Sequence, residues 1–416
     1  MTSTTAGAPV AAPRDLRNAR IAVAALFFTN GAIFANLLPR YPEIKRDLAL
    51  SNAEYGLAIA SFPLGALIAG LAAAALIRRY RSSRVAVVGT LFVAGGVFLA
   101  GASPTWITLA AALFFAGAMD AITDVAQNSH GLRVQRLYGR SILNSFHAVW
   151  SIGAVSGGLL GGLAVALDVP RGIHLAVTGA LFFVVVLISY RFLLPGAEPA
   201  ERGVPVTVQA DDPRTHGLNG GGPRARRTSP YPTLAALVVI AVGGTLVEDA
   251  GSTWAAVYLS GQLDASVSIA ALGFVAMVGA QFVGRLLGDG LVDRFGQRAV
   301  ARAGGVIVFL GMGAALAFPS VAGTIIGFGL AGFGVATLVP AAMHGADELH
   351  GLRPGTGLTV ISWLMRVGFL VSPPVVGLIA DTFSLRLGLL VVPFAAVLVI
   401  VLAGVLSSER AKQHRR

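Results

Sequence analysis

The sequence predicts an all-α integral membrane protein with twelve transmembrane helices, and three observations predict it. Of 416 residues, 55% are hydrophobic and 12% charged, against roughly 25% charged in soluble domains. The apolar residues gather into runs of about 20, the length a helix needs to cross a hydrocarbon core of about 30 Å. The basic residues concentrate in alternate connecting segments, the pattern left by a chain threaded back and forth through a bilayer.

Taken in order, spans are expected near residues 21–38, 55–77, 85–101, 105–126, 142–166 and 173–193, then 233–258, 268–291, 300–318, 320–343, 356–380 and 385–406. Lipid offers no partner to a backbone N–H or C=O, so each run must be helical. Residues 1–20 form a polar tail with Arg14, Arg17 and Arg20. The apolar run after it is too long for a signal-peptide core and has no small-residue cleavage site, so it is read as a retained first span. Residues 195–232 carry Asn219-Gly-Gly-Gly222, Arg224, Arg226 and Arg227. They read as a disordered linker on the membrane surface between a six-helix bundle at 21–194 and a second at 233–406. Residues 407–416 form a basic tail.

The basic residues test the helix count without using hydropathy. The termini and even-numbered loops hold 24 Lys and Arg, and the odd-numbered loops hold five: Arg40, Lys45, Arg46, Arg171 and Arg386. Both termini and the linker are therefore expected in the cytoplasm. This split also explains the net charge of +11 as helix orientation rather than a nucleic-acid surface. The chain has no cysteine, hence no disulfide framework and no thiolate metal site. No phosphate-binding loop is present, so ATP drive is unsupported. His130, His147, His174, His344 and His350 lack ligand spacing, so no metal, cofactor or enzymatic activity is expected. His130 and His344 lie toward cytoplasmic helix ends and read as interfacial residues.

A charge at the centre of a spanning helix costs roughly 2.5 to 3.5 kcal/mol on insertion scales, so each one needs a polar partner or a wet cavity. Six such charges occur: Asp120 and Asp124 in span 4, Glu248 and Asp249 in span 7, Arg285 in span 8 and Arg366 in span 11. Asp120, Asp124, Gln127 and Asn128 fall on one face about 100° wide. Thr245, Glu248 and Ser252 share another face, with Asp249 rotated about 100° from it and available to a neighbouring helix. Arg366 lies with Thr359, Ser362 and Trp363 and cannot shed its charge, so it requires a carboxylate or an anionic group of a substrate. Arg285 shares a face with Gln281 and precedes Asp289 by four residues, which suits a gate-locking pair. Four carboxylates against two guanidiniums leave a surplus of acid, and a buried carboxylate titrates nearer neutral pH. Glu248 is the first candidate for proton coupling, with an inter-helix salt bridge as the structural alternative. His147 and Trp150 lie one turn apart on span 5, ahead of Gly153, Gly157 and Gly161, whose four-residue spacing favours close helix packing. Trp150, Trp254 and Trp363 are candidates for stacking on a substrate ring, or else packing residues.

The segment Gly288-Asp-Gly-Leu-Val-Asp-Arg-Phe-Gly-Gln-Arg298 joins spans 8 and 9. With six helices, a long linker and six more, it resembles the signature of the major facilitator superfamily, whose halves are related by pseudo-twofold symmetry. The resemblance implies that spans 1, 4, 7 and 10, flanked by 2, 5, 8 and 11, line a central cavity, while 3, 6, 9 and 12 face lipid. The last four carry no interior charge. The resemblance also implies a cytoplasmic gate that involves Arg285, Asp289, Asp293 and Arg294. The copy between spans 2 and 3, Ile77-Arg-Arg-Tyr-Arg-Ser-Ser-Arg84, is degenerate, with Arg78 where the acid stands and Arg81 in place of the glycine.

Asp124-Val-Ala-Gln-Asn128, His147-Ala-Val-Trp-Ser-Ile-Gly153, Val283-Gly-Arg285-Leu-Leu-Gly288 and Phe369-Leu-Val-Ser-Pro-Pro374 together look like the YbjJ-like bacterial inner-membrane branch, distantly related to fucose permease-like sugar transporters. Span 7 departs from that branch, with Thr253 where an acid usually stands before Trp254 and with Asp249 as an addition. The resemblance implies a monomeric secondary active transporter of the bacterial cytoplasmic membrane, working by alternating access. Its expected cargo is a small polar solute such as a sugar, taken up with protons. The runner-up is proton-antiport export of a drug-like or amphiphilic compound. The glycine-proline signature of drug antiporters on span 5 lacks its proline here.

Overall fold

The computed structural model describes residues 13–138, 142–196, 229–347 and 356–406, with Leu349 and Leu352. The expected tails at 1–12 and 407–416 and most of the expected linker lie outside them. Among the described residues all regular structure is helical, and twelve helical segments are long and apolar enough to cross a membrane.

The first half comprises α1 (Pro13–Ala35), the short α2 (Tyr41–Asp47), α3 (Asn52–Tyr80), α4 (Ser82–Gly101), α5 (Trp106–Tyr138), α6 (Leu143–Ala166) and α7 (Arg171–Tyr190). The second comprises α8 (Tyr231–Gln262), α9 (Val267–Phe295), α10 (Gln297–Ala317), α11 (Val321–Val335), α12 (Leu338–Asp347), α13 (Thr356–Thr382), α14 (Leu385–Gly388) and α15 (Val391–Leu402). Three features depart from the expected spans. Helix α5 runs on to Tyr138, because hydropathy marks the hydrocarbon boundary and not the end of the helix. Span 10 divides into α11 and α12 at Ala336 and Thr337, where Pro340 has no N–H to return to the Ala336 carbonyl. Span 1 is followed by α2, an amphipathic turn of helix that hydropathy does not detect.

Helix α2 is fastened to the first half by charge. Arg40, buried, pairs with Glu43 at 3.0 Å and donates to the Val169 carbonyl at 2.6 Å. Arg171 reaches Glu43 at 3.4 Å and Asp47 at 2.9 Å and also donates to the Gly101 carbonyl.

The two halves use the same packing scheme. In the first, α3 and α4 pack on α5, α1 on α6, and both α1 and α4 on α7. In the second, α9 and α10 pack on α11, α8 on α13, and both α8 and α10 on α15. The halves meet principally where α3 crosses α13 and α6 crosses α9, again a matched pair.

The α3–α13 crossing is tightest at one end of the molecule. Gly56 approaches the Pro373 carbonyl, and Gly377 the Asn52 carbonyl, so closely that neither site has room for a Cβ. The Tyr55 hydroxyl donates to the Thr253 carbonyl of α8 at 2.8 Å, and the Tyr55 ring packs edge-on against Trp254. This end, remote from both described chain ends, is sealed. Toward the other end, His147, Arg285 and Arg366 are exposed although they lie within spans.

Candidate functional site

The intramembrane charges fall into four polar groups. In the first, Trp150 Nε1 donates to Asn30 Oδ1 at 2.8 Å and Asn30 Nδ2 donates to Asp120 Oδ1 at 2.8 Å, joining α6, α1 and α5. Asn30 was not among the expected site residues. It is visible in the sequence as a polar residue in an apolar run, and a search restricted to charges misses it.

The second group is centred on the half-buried Asp124 of α5. Asn128 Nδ2 donates to Asp124 Oδ1 at 2.9 Å, and the Asp124 carboxylate interacts electrostatically with His147 of α6 and Arg366 of α13. The expected single face of Asp120, Asp124, Gln127 and Asn128 therefore divides. Gln127 is buried and bonds the Leu26 carbonyl of α1 at 3.3 Å, and Asp120 also turns to α1, while Asp124 is turned to His147 and Arg366 and Asn128 to Asp124. A face 100° wide spans both directions on a helix packed on one side.

In the third group, Gln281 Nε2 donates to Glu248 Oε2 at 2.8 Å, with Arg285 Nη2 3.9 Å from the same oxygen. Arg285 thus approaches a carboxylate of α8. The side chain of Asp289, its expected partner, lies outside the described residues. His147 interacts with Arg285 as well as with Asp124, so the second and third groups meet across the boundary between the halves.

The fourth group is Asp249, buried beneath the sealed end, with the Thr253 hydroxyl donating to its Oδ1 at 3.2 Å. Trp254 is completely buried there. In this conformation it packs against the seal and is not placed to stack on a solute. Trp363 is exposed one turn from Arg366, as its spacing implies. The side chains of Thr359 and Ser362 lie outside the described residues.

Of the expected gate, Asp293 and Arg294 are both exposed, and the Arg294 guanidinium sits 5.2 Å from the Phe295 ring centroid. His130 corrects the sequence reading. It is buried, with Nδ1 2.9 Å from Ser82 Oγ and Nε2 accepting from Leu194 N–H at 3.2 Å. It is therefore a clamp between α4 and the end of α7, a partnership between residues distant in sequence that no local pattern reveals.

The degenerate and intact inter-helix motifs form the same turn. Gly296, between α9 and α10, has φ 83° and ψ 154°. Arg81, between α3 and α4, has φ 73° and ψ 145°, a region essentially reserved for glycine.

Comparison with known proteins is consistent with this geometry. The family description "Major Facilitator Superfamily" matches residues 23–289 and 234–416. The uncharacterized transporter y4wD of Sinorhizobium fredii (strain NBRC 101917 / NGR234) is 29% identical, covering 92% of this chain and 97% of that protein. Membrane protein MosC of Rhizobium meliloti is 28% identical, over 91% of this chain and 88% of its own. Among solved structures, the nucleoside transporter NupG superposes with a TM-score of 0.70 at 12% identity, covering 93% of this chain and 99% of that one. At that identity the likeness speaks to the fold alone.

Proposed function

The chain belongs to the Major Facilitator Superfamily, and on that basis we propose that it takes up a small polar solute, such as a sugar, together with protons. It does so by alternating access, as a monomer in the bacterial cytoplasmic membrane, with both termini in the cytoplasm. The open end then faces the cytoplasm. The observation that carries the reading is the convergence of Asp124, His147 and Arg366 with Glu248, Gln281 and Arg285 from both halves. Such a set suits a polar cargo at the midplane. Glu248 is assigned the coupling role. Its carboxylate accepts from a neutral amide and stands near, but not in hydrogen-bond contact with, a guanidinium. Protonation of Glu248 releases Arg285 toward other partners. The surplus of acids over guanidiniums and the likeness to the sugar-permease branch support the same reading.

The test is uptake into proteoliposomes from a panel of sugars, with and without an imposed pH gradient. Accumulation that depends on the gradient is expected, and Glu248→Gln should abolish it while retaining substrate exchange. Uptake indifferent to the gradient removes proton coupling. Outward movement of amphiphilic compounds, with no sugar uptake, replaces import by export.

A further inference from the structure

Beneath the sealed end lies a group of polar atoms that the transport site does not use. Asp249 Oδ2 of α8, Ser372 Oγ of α13, the Tyr41 hydroxyl at the start of α2 and Trp254 Nε1 of α8 are all buried and have no hydrogen-bond partner among the described residues. Ser372 is turned toward the Asp249 carboxyl, and Tyr41 and Tyr55 interact with it electrostatically. The titratable groups that face Asp249 are thus Tyr41 from α2, Tyr55 from α3 and Glu248 from its own helix. Helix α13 contributes the Ser372 hydroxyl, and the charge on α9, Arg285, is turned to Glu248. No salt bridge reaches Asp249 among the described residues.

The unpartnered carboxyl oxygen of Asp249 and three further unpartnered polar atoms, from Ser372, Tyr41 and Trp254, thus lie buried on three elements from both halves. A buried carboxylate without a cation is disfavoured even where a hydroxyl donates to it, as Thr253 does to Asp249, and the acid form adds an O–H donor to the group. We propose that Asp249 is a second proton-binding site, distinct from Glu248, and that its occupation permits the Tyr41–Tyr55–Trp254 seal to close. The proton comes from water that reaches Oδ2 while this end is open. It forms an O–H bond there and returns to water when the seal parts. Closure is thereby favoured in acid and opening in alkali, because only the open form lets solvent reach the ionised carboxylate. The proposal extends the proton-coupled reading, but its test needs neither substrate nor gradient.

Because the chain contains no cysteine, one introduced thiol reports directly. Ala58 of α3 is completely buried near the seal. In detergent-solubilised Ala58→Cys protein, the rate of labelling by a hydrophilic maleimide should rise about tenfold or more between about pH 5 and about pH 9, after correction for the reagent's own pH dependence. Adding Asp249→Asn should hold the rate at its low value throughout. A flat profile in the parent overturns the proposal, as does a rise that survives Asp249→Asn. If Asp249→Asn does not fold, Ser372→Ala and Tyr41→Phe serve instead. Each should move the midpoint of the rise, and an unmoved midpoint in both overturns the assignment.

Discussion

Asp381, at the end of α13, caps the first turn of α3 from the opposite half of the molecule. Its Oδ1 accepts from Asn52 N–H and from Asn52 Nδ2, each at 2.8 Å, and its Oδ2 accepts from Ala53 N–H at 2.7 Å. The next amide, of Glu54, goes to Ser51 Oγ at 3.1 Å within a capping box. The cap therefore exists only while this end of the molecule is closed.

Removing it should shift the balance of conformations more than the stability of the fold. A helix cap is worth about 0.5 to 2 kcal/mol, so Asp381→Ala should favour the opened form by about twofold to about thirtyfold. Thiol labelling of Ala58→Cys at fixed pH measures this. Equal rates with and without Asp381 would show that the cap does not hold the seal.

The turn at Arg81 predicts a gain. A non-glycine residue in this backbone region carries strain of about 1 to 3 kcal/mol, and Gly296 occupies the matching turn without it. Arg81→Gly should stabilise the protein by about 1 kcal/mol or more and raise the thermal midpoint by a few degrees. Gly296→Ala should lower it. Thermal unfolding of the purified protein reports both.

Asn30 satisfies two partners at once. Asn30→Ala leaves the Trp150 indole N–H and the Asp120 carboxyl unpaired in a site of restricted access. Each unsatisfied buried group costs about 1 to 3 kcal/mol. Initial uptake of the identified solute should fall by at least about tenfold, and the thermal midpoint should drop. Normal uptake would place this network outside the transport cycle.

Two glycines separate folding from switching. Gly56 meets Pro373 between the halves, whereas Gly117 of α5 meets the Phe62 carbonyl of α3 within one half. Gly56→Ala should increase labelling of Ala58→Cys with little loss of stability. Gly117→Ala should lower the thermal midpoint and leave labelling nearly unchanged. The reverse assignment would mean that the halves do not move as units.

The positions of the twelve spans were legible because lipid imposes a length and a composition that survive any packing arrangement. The 100° between Glu248 and Asp249 was equally legible, since it follows from helix geometry alone, and the two carboxyls do face different helices. Their partners were not legible. Arg285 approaches Glu248 of α8 because packing brings α8 and α9 together, and sequence distance carries no information about that. Prolines were ambiguous in the same way. Pro340 coincides with a break, whereas Pro63, Pro373 and Pro374 sit inside unbroken helices, where neighbouring helices compensate the lost bond. Asn30 and His130 depend on partners 48 to 120 residues away, beyond the reach of any periodicity.

The matched packing of the two halves sorts the chain's residues by what a mutation can do. Glycine backbones touch neighbouring main chain both within a half, as at Gly117 and Phe62, and between the halves, as at Gly56 and Pro373. In the proposed alternating-access cycle the halves part from one another, so rearrangement is expected at the α3–α13 and α6–α9 crossings. Substitutions at these two crossings should tune how long each face stays open, and so the transport rate, while those at contacts within a half should tune abundance.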